Sequence, residues 1–250
     1  MMLRARQRLF WACLLLYTNV FASAVHSNSN IASKVTEDIK NKAIDIAVSV
    51  FPSVSVDAVL PSSMPGWVVV ASGDQIIYVN VKLHLIFQGT LIDEKSRVNL
   101  TDKVKTSIMA NAIKNFPFEK NAIPYVSGNG SRHIVVFEDP YCKYCRVFTE
   151  EISTLTNATV YVVLYPVVKE QSMVVAAKIW CAPDRAKAWH DWIVDSKEPN
   201  NSGSCNTPLR KNVEMGRKYS VTGTPTTFFM TGQRISGAPT VDTIEELLGN

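Results

Sequence analysis

The sequence predicts an α+β protein in two parts: a small N-terminal α+β domain, then a linker helix and a larger domain in which strands and helices alternate. Three observations carry this. A run rich in β-branched residues at 67–89 lies between two helical patterns. From residue 132 onward strand and helix patterns alternate, with a helical block between two sets of strands. Finally, the four cysteines beyond the first 24 residues, Cys142, Cys145, Cys181 and Cys205, all fall in the second half, which gives the two parts different jobs.

The N-terminus has the layout of a secretory signal. Arg4, Arg6 and Arg8 precede an apolar stretch from Leu9 to Phe21, and Ala22-Ser23-Ala24 fits a small-x-small cleavage site. The alternative, a membrane anchor, needs about 20 apolar residues, and this core is shorter. Cys13 is expected to leave with the signal over residues 1–24. Removing that segment, with its three arginines and no acid, takes the formal charge from +4 to +1. A near-neutral mature chain gives no reason to expect nucleic acid or an anionic membrane as partner. Four remaining cysteines in an exported chain point to disulfide chemistry, because that compartment is oxidising.

An N-terminal α+β domain is expected over 25–98. Val35, Ile39, Ala43 and Ile46 recur at helical spacing within 31–50, and Pro52 ends that helix. Residues 67–89 follow as a small antiparallel sheet turning at Ser72-Gly73-Asp74. Its apolar strands have few partners in so short a segment. Packing on a second subunit and a closed monomeric domain both remain open. The linker helix is expected over 99–117, with Thr101 as N-cap, Val104, Ile108 and Ala112 as a thin apolar face, and Pro117 as its stop. That thin face suits a connector more than a core helix.

The catalytic domain is expected over 118–250. After a flexible turn at 127–131 come a strand (RHIVVFED), a helix opening at Cys142 with Phe148, Ile152 and Leu155 on one face, and a strand (ATVYVVLYP). Helices are expected across 170–196 and 207–219. A strand (TPTTFFM), a hairpin turn at Thr231-Gly232-Gln233-Arg234, a short strand and a closing helix (TVDTIEELL) complete the chain. This order fits a thioredoxin-like domain with a helical insertion.

A Cys-x-x-Cys pair alone serves zinc, a structural bridge or redox exchange. Cys142 and Cys145 open a helix directly after a strand, where the helix N-terminus stabilises a thiolate. No second Cys-x-x-Cys or His-x-x-x-His follows, and His26, His84, His133 and His190 are scattered as ordinary surface or packing residues. The redox reading makes Cys142 the nucleophile and Cys145, one turn deeper, the resolving thiol. No metal or cofactor is needed, since the cysteines are the redox group. Lys143 adds a nearby positive charge, or is simply solvated. Thr224-Pro225, just before a strand, is expected to be cis and to face the pair, leaving the Thr224 backbone free to bind an extended substrate. A bridge between Cys181 and Cys205 would close a 25-residue loop, worth roughly 3 kcal/mol; a second redox pair is the alternative.

The stretches VVFEDPYCKYC (135–145), AKIWCAPDRAKAWHD (177–191) and VTGTPTTFFMTGQRISG (221–237) resemble the DsbC/DsbG family of periplasmic thiol:disulfide isomerases, DsbC more than DsbG. The weaker QIIYVN (75–80) and IFQGTLID (86–93) extend the resemblance over nearly the whole mature chain. It implies a V-shaped homodimer joined through cystatin-like N-terminal domains, and catalysis by Cys142 and Cys145. It also implies substrate binding at Thr224 and Pro225 and a structural Cys181–Cys205 disulfide. The family's pair is kept reduced by a membrane reductase of the DsbD type, and its cleft binds misoxidised or unfolded exported proteins, giving chaperone activity. Two departures stand out: Lys143 where DsbC proteins commonly carry glycine, and an N-terminal hairpin turn reading NVKL without Gly or Asp. Gly89 keeps the glycine expected beside the dimer strand. The rival readings are a specialised disulfide reductase or oxidase, a holdase chaperone, and an assembly factor for a secretion or conjugation machine.

Overall fold

The computed structural model describes residues 35–249. The expected signal at 1–24, Cys13, His26 and the first turn of the expected helix at 31–34 lie outside the described residues. Among the described residues no helix is long and apolar enough to cross a membrane.

The N-terminal part is one helix on a four-stranded antiparallel sheet. Helix α1 (Glu37–Val50) starts at Thr36, whose hydroxyl accepts from Ile39 N, and carries Glu37 and Asp38 in its first turn; both features offset the unpaired N–H groups there. Strands β1 (Ala58–Pro61), β2 (Val68–Ser72), β3 (Gln75–Asn80) and β4 (Leu85–Phe87) follow in spatial order 1-2-3-4. Alternation along β2 and β3 splits the core. Val68, Val70, Ile77 and Val79 meet Ala43 and Ala47 of α1, while Val69, Ala71, Ile76 and Tyr78 face the other way. The β3–β4 turn closes without glycine. Asn80 Oδ1 accepts from Leu83 N at 2.9 Å, and His84 takes the left-handed conformation at φ 54°. A short polar anchor thus does the work expected of Gly or Asp.

Helix α2 (Leu100–Lys114) corrects two expectations. Its N-cap is Asn99, whose Oδ1 accepts from Asp102 N at 3.0 Å. Thr101 is instead buried, bonded to Tyr78 Oη at 2.7 Å and accepting from Leu91 N at 2.8 Å. Nor is the helix a bare connector. Val104 and Ile108 pack on the second face of the N-terminal sheet. Met109, Ile113 and the following Phe116 are buried with Val135, Phe137 and Phe228 of the second domain. Two stripes, offset by about a residue, serve two cores, so neither stripe looks strong in isolation.

The second part begins with a short helix, α3 (Phe118–Asn121), and a five-stranded mixed sheet in order β5-β7-β6-β8-β9. Its strands are β5 (Ile123–Ser127), β6 (Arg132–Glu138), β7 (Ala158–Leu164), β8 (Thr226–Phe229) and β9 (Arg234–Ser236). β6 pairs parallel with β7 and antiparallel with β8. Helix α4 (Lys143–Ile152) makes the crossover from β6 to β7. It ends ahead of Leu155, which was expected on its apolar face, because Ser153 and Thr154 turn their hydroxyls back onto the Glu150 and Glu151 carbonyls. The helical insertion holds α5 (Glu170–Trp180), α6 (Arg185–Ile193) and α7 (Leu209–Lys218). The helices expected over 170–196 divide at Cys181–Asp184, where Pro183 removes a donor and Asp184 caps α6 by accepting from Lys187 N. Helix α8 (Val241–Leu248) closes the domain.

The sheet is covered on both faces. Ile134 and Val136 meet Phe148 of α4, Ile179 of α5, Trp189 of α6 and Ile244 of α8. Val135 and Phe137 meet the α2 residues above, with Tyr165 and Val221. A fully buried ring such as Phe148 contributes about 2 kcal/mol of transfer free energy. Cys181 and Cys205 form a disulfide, S–S 2.02 Å, pinning the segment between α6 and α7 to the end of α5.

The β8–β9 turn seats α2. Gly232 sits at φ 86°, and a Cβ there would overlap the Thr106 carbonyl of α2. Gly237, at φ 93°, has nothing within 4 Å of the same position. Gly232→Ala is therefore expected to cost about 2–3 kcal/mol in urea unfolding. Gly237→Ala, which pays backbone strain alone, is expected to cost about 1 kcal/mol. Equal losses would show that the helix yields at no cost.

Candidate active site

β6 ends at Glu138, and the chain turns through Asp139, Pro140 and Tyr141 into α4. Asp139 builds this turn. Its fully buried carboxylate accepts from Tyr141 N (2.7 Å), Val167 N (2.6 Å), Val168 N (2.8 Å) and Ser172 Oγ (2.8 Å). Its carbonyl accepts from Cys142 N at 3.0 Å. Four donors offset the cost of burying that charge. The turn is braced outside by Trp192, whose Nε1 donates to the Pro140 carbonyl at 2.7 Å and whose ring meets Tyr141 edge-on. The Lys169 ammonium lies 4.9 Å from the centre of the Tyr141 ring.

Cys142 is the N-cap of α4. Its Sγ accepts from Cys145 N at 3.1 Å and stands 3.1 Å from the Thr224 carbonyl, to which the thiol donates. The residue is 7 % exposed, while Cys145, one turn on, is 0 % exposed. Both are free thiols. Thr224-Pro225, the one cis peptide among the described residues, lies directly against the pair, so the chain brings together residues 82 positions apart. Lys143 is exposed. His133 meets Tyr161 edge-on, and His84 is exposed. Ligand atoms of His190 and Asp191, in the last turn of α6, and of Asp195, just beyond it, lie within 4.8 Å of one another, and Asp191 is already paired with Lys187.

The two sulfurs are driven apart in acidity. The Cys142 pKa falls to about 6, chiefly because the Cys145 thiol donates to it, helped by the Thr224 side chain and the N–H groups of Cys145 and Tyr144, against a burial penalty. Burial pushes the Cys145 thiol far up, and the neighbouring Cys142 and Glu138 push the same way. At neutral pH this arrangement holds one thiolate just beneath the surface, above one fully buried thiol, the state that thiol–disulfide exchange requires.

Sequence reasoning missed Glu138 and Asp139. Glu138 is 0 % exposed, and neither carboxylate oxygen has a hydrogen-bond partner among the described residues. Burial, and then the Cys142 charge, raise its pKa well above the usual carboxylate range. The available signal was two acids placed at the end of an apolar strand, immediately ahead of the cysteines.

Residues 119–250 match the family described as Thioredoxin-like domain, and residues 32–102 match the Disulfide bond isomerase protein N-terminal domain. The chain is 35 % identical over 176 residues to a Bordetella pertussis protein named "Probable thiol:disulfide interchange protein DsbC", covering 70 % of this chain and 62 % of that protein. The chain thus spans less than two thirds of that relative's length. It is 26 % identical over 195 residues to the Escherichia coli thiol:disulfide interchange protein DsbC, covering 75 % of this chain and 79 % of the relative. The crystal structure of a disulfide interchange protein from Neisseria gonorrhoeae superposes with a TM-score of 0.50 at 34 % identity, over 53 % of this chain and 96 % of that one.

Two measurements check the electrostatics. Alkylation of the reduced protein by iodoacetamide is expected to modify Cys142 with a midpoint near pH 6, against about 8.5 for an ordinary thiol, and to spare Cys145. A midpoint near 8.5 would contradict the site as described. For Glu138 the folded pKa is raised, so its contribution is intact below the usual carboxylate range and is lost as pH rises toward the folded pKa. Glu138→Gln is thus expected to be stabilising at pH 8 and near neutral at pH 4 in urea unfolding.

Proposed function

The chain belongs to the DsbC family of thioredoxin-like proteins, and from that membership we propose that it is a thiol:disulfide isomerase of the periplasm, acting on mispaired disulfides of exported proteins. The observation that carries this is the Cys142 sulfur: a thiol acidified to about 6, capping a helix 3.1 Å from the Thr224 carbonyl.

The Cys142 thiolate attacks one sulfur of a substrate disulfide. A Cys142–substrate bond forms, the substrate bond breaks, and a substrate thiolate leaves with the electron pair. Two exits follow. Another substrate thiol attacks the mixed disulfide, forming a new substrate disulfide and returning the Cys142 thiolate; this is isomerisation. Alternatively Cys145 attacks Cys142, and the substrate leaves reduced. Thr224 and Pro225 serve as the substrate-binding loop, a role supported by their proximity to Cys142. After a reductive exit, a membrane dithiol reductase of the DsbD type restores the pair.

The protein acts as a homodimer through its N-terminal domains. In support, β4 is an edge strand of its sheet, with Leu83, Leu85 and Phe87 exposed, and exposed apolar edges call for a partner. The same apolar character suits capture of unfolded clients. Export by the N-terminal signal puts the enzyme in an oxidising compartment, where mispaired disulfides arise.

Reactivation of scrambled ribonuclease tests the reading. The mature protein is expected to restore activity and Cys142→Ser to abolish it. No reactivation by the reduced wild-type protein would overturn general isomerase activity and favour a reductase or holdase with few clients.

A further inference from the structure

The chain reaches Cys142 through a four-residue turn. Asp139, Pro140, Tyr141 and Cys142 form it, and the Cys142 N–H closes it on the Asp139 carbonyl at 3.0 Å. Its middle peptide joins Pro140 to Tyr141, and that peptide is held at both ends. Tyr141 N donates to the Asp139 carboxylate at 2.7 Å, and the Pro140 carbonyl accepts from Trp192 Nε1 at 2.7 Å. No other donor among the described residues reaches the Pro140 carbonyl. Pro140 is buried, and a buried carbonyl needs a partner.

That partner comes from α6 in the helical insertion, 52 positions along the chain. The Trp192 ring also meets Tyr141 edge-on, with centres 5.4 Å apart. Trp189, on the same helix, is the contrast. It is fully buried in the core with Phe148 and Ile179, and its Nε1 has no partner among the described residues. Trp189 fills space. Trp192 spends its N–H on one carbonyl, two residues ahead of the nucleophile. Packing alone does not ask for that, since an apolar ring would cover Tyr141 equally well.

We propose that Trp192 is a positioning residue for thiol–disulfide exchange: through the Pro140 carbonyl it fixes the turn that holds the Cys142 sulfur at the mouth of α4. The inference rests on Cys142 as the nucleophile. Cys142 sits in extended backbone, φ −82° and ψ 115°, which lets its Sγ accept from Cys145 N at 3.1 Å while standing 3.1 Å from the Thr224 carbonyl. A tilt of the middle peptide would swing Sγ away from both. Trp192 touches neither sulfur and makes or breaks no bond. It keeps the thiolate within reach of the dipoles that stabilise it, and so bears on how oxidising the pair is. The titratable groups acting on Cys142 and its partner sulfur are Cys145 of α4 and Glu138 of β6. Lys143 is exposed, Lys169 faces the Tyr141 ring, and Asp191 beside Trp192 is paired with Lys187. Exchanging Trp192 for a neutral ring alters none of these charges.

The test compares the mature wild-type protein with Trp192→Phe and Trp189→Phe. Reduced protein is alkylated with iodoacetamide across pH 4–9, and each protein is equilibrated with glutathione at pH 7. In that equilibrium the two protein thiols become a disulfide and one oxidised glutathione becomes two thiols. Trp192→Phe is expected to raise the Cys142 midpoint by about one pH unit, the scale of one lost hydrogen bond. By linkage it is expected to shift the glutathione equilibrium about fivefold toward the Cys142–Cys145 disulfide. Trp189→Phe is expected to lower the urea unfolding midpoint and to leave both chemical readouts unchanged. Benzothienylalanine at position 192 exchanges the N–H for sulfur in a ring of the same shape. It is expected to give the same shifts, and it decides the matter if Trp192→Phe does not fold. An unmoved Cys142 midpoint in a folded variant at 192, or an equal shift in Trp189→Phe, would overturn the proposal while leaving the isomerase reading intact. A wild-type midpoint of about 8.5, that of an ordinary thiol, would overturn both.

Discussion

β6 is hydrogen-bonded along both edges and buried on both faces, and each of its neighbours brings one part of the site. Parallel pairing with β7 demands a crossover, and that crossover is α4, whose first turn therefore opens at the carboxyl end of β6. Antiparallel pairing with β8 sets Phe137 opposite Thr226, so β8 begins at the same end and Thr224 arrives beside Cys142. A slip of one residue in β6 would exchange the two layers. Phe137 would then replace Glu138 among the cysteines, and an acid would enter the apolar core shared with α2. Register here is a chemical constraint as much as a packing one.

The acidity of Cys142 comes from dipoles rather than a neighbouring cation. The Cys145 thiol and the N–H groups of the first turn of α4 stabilise the thiolate, while Lys143 points to solvent. Fixed dipoles in a buried site are screened weakly by salt, unlike exposed ion pairs. Lys143, where DsbC proteins commonly carry glycine, thus bears on the outer surface of the turn, and less on the ionisation of the sulfur beneath it.

Much of this was legible in the sequence because the determinants are local. The apolar, β-branched runs of β2, β3, β6 and β7, the Cys-x-x-Cys at a strand–helix junction and the Thr-Pro before β8 each carry their signal within a few residues. What escaped depends on tertiary partners. β1 and β5 are short edge-side strands containing Pro61 and Pro124, and only the neighbouring strand defines them. Thr101 reads as a cap until Tyr78 is placed beside it. Glu138 and Asp139 look alike in sequence, and only the loop at Val167–Ser172 distinguishes the satisfied acid from the bare one.

The double duty of α2 bears on where this protein can be divided. Sequence similarity to the Thioredoxin-like domain begins at residue 119, which invites a cut just ahead of it. Such a fragment would discard Met109, Ile113 and Phe116 and leave Val135, Phe137 and Phe228 facing water. The core of the second domain is thus longer than its family boundary, since it takes in Met109, Ile113 and Phe116. Val104 and Ile108 of the same helix belong to the core of the N-terminal sheet, so no cut within α2 leaves both cores covered.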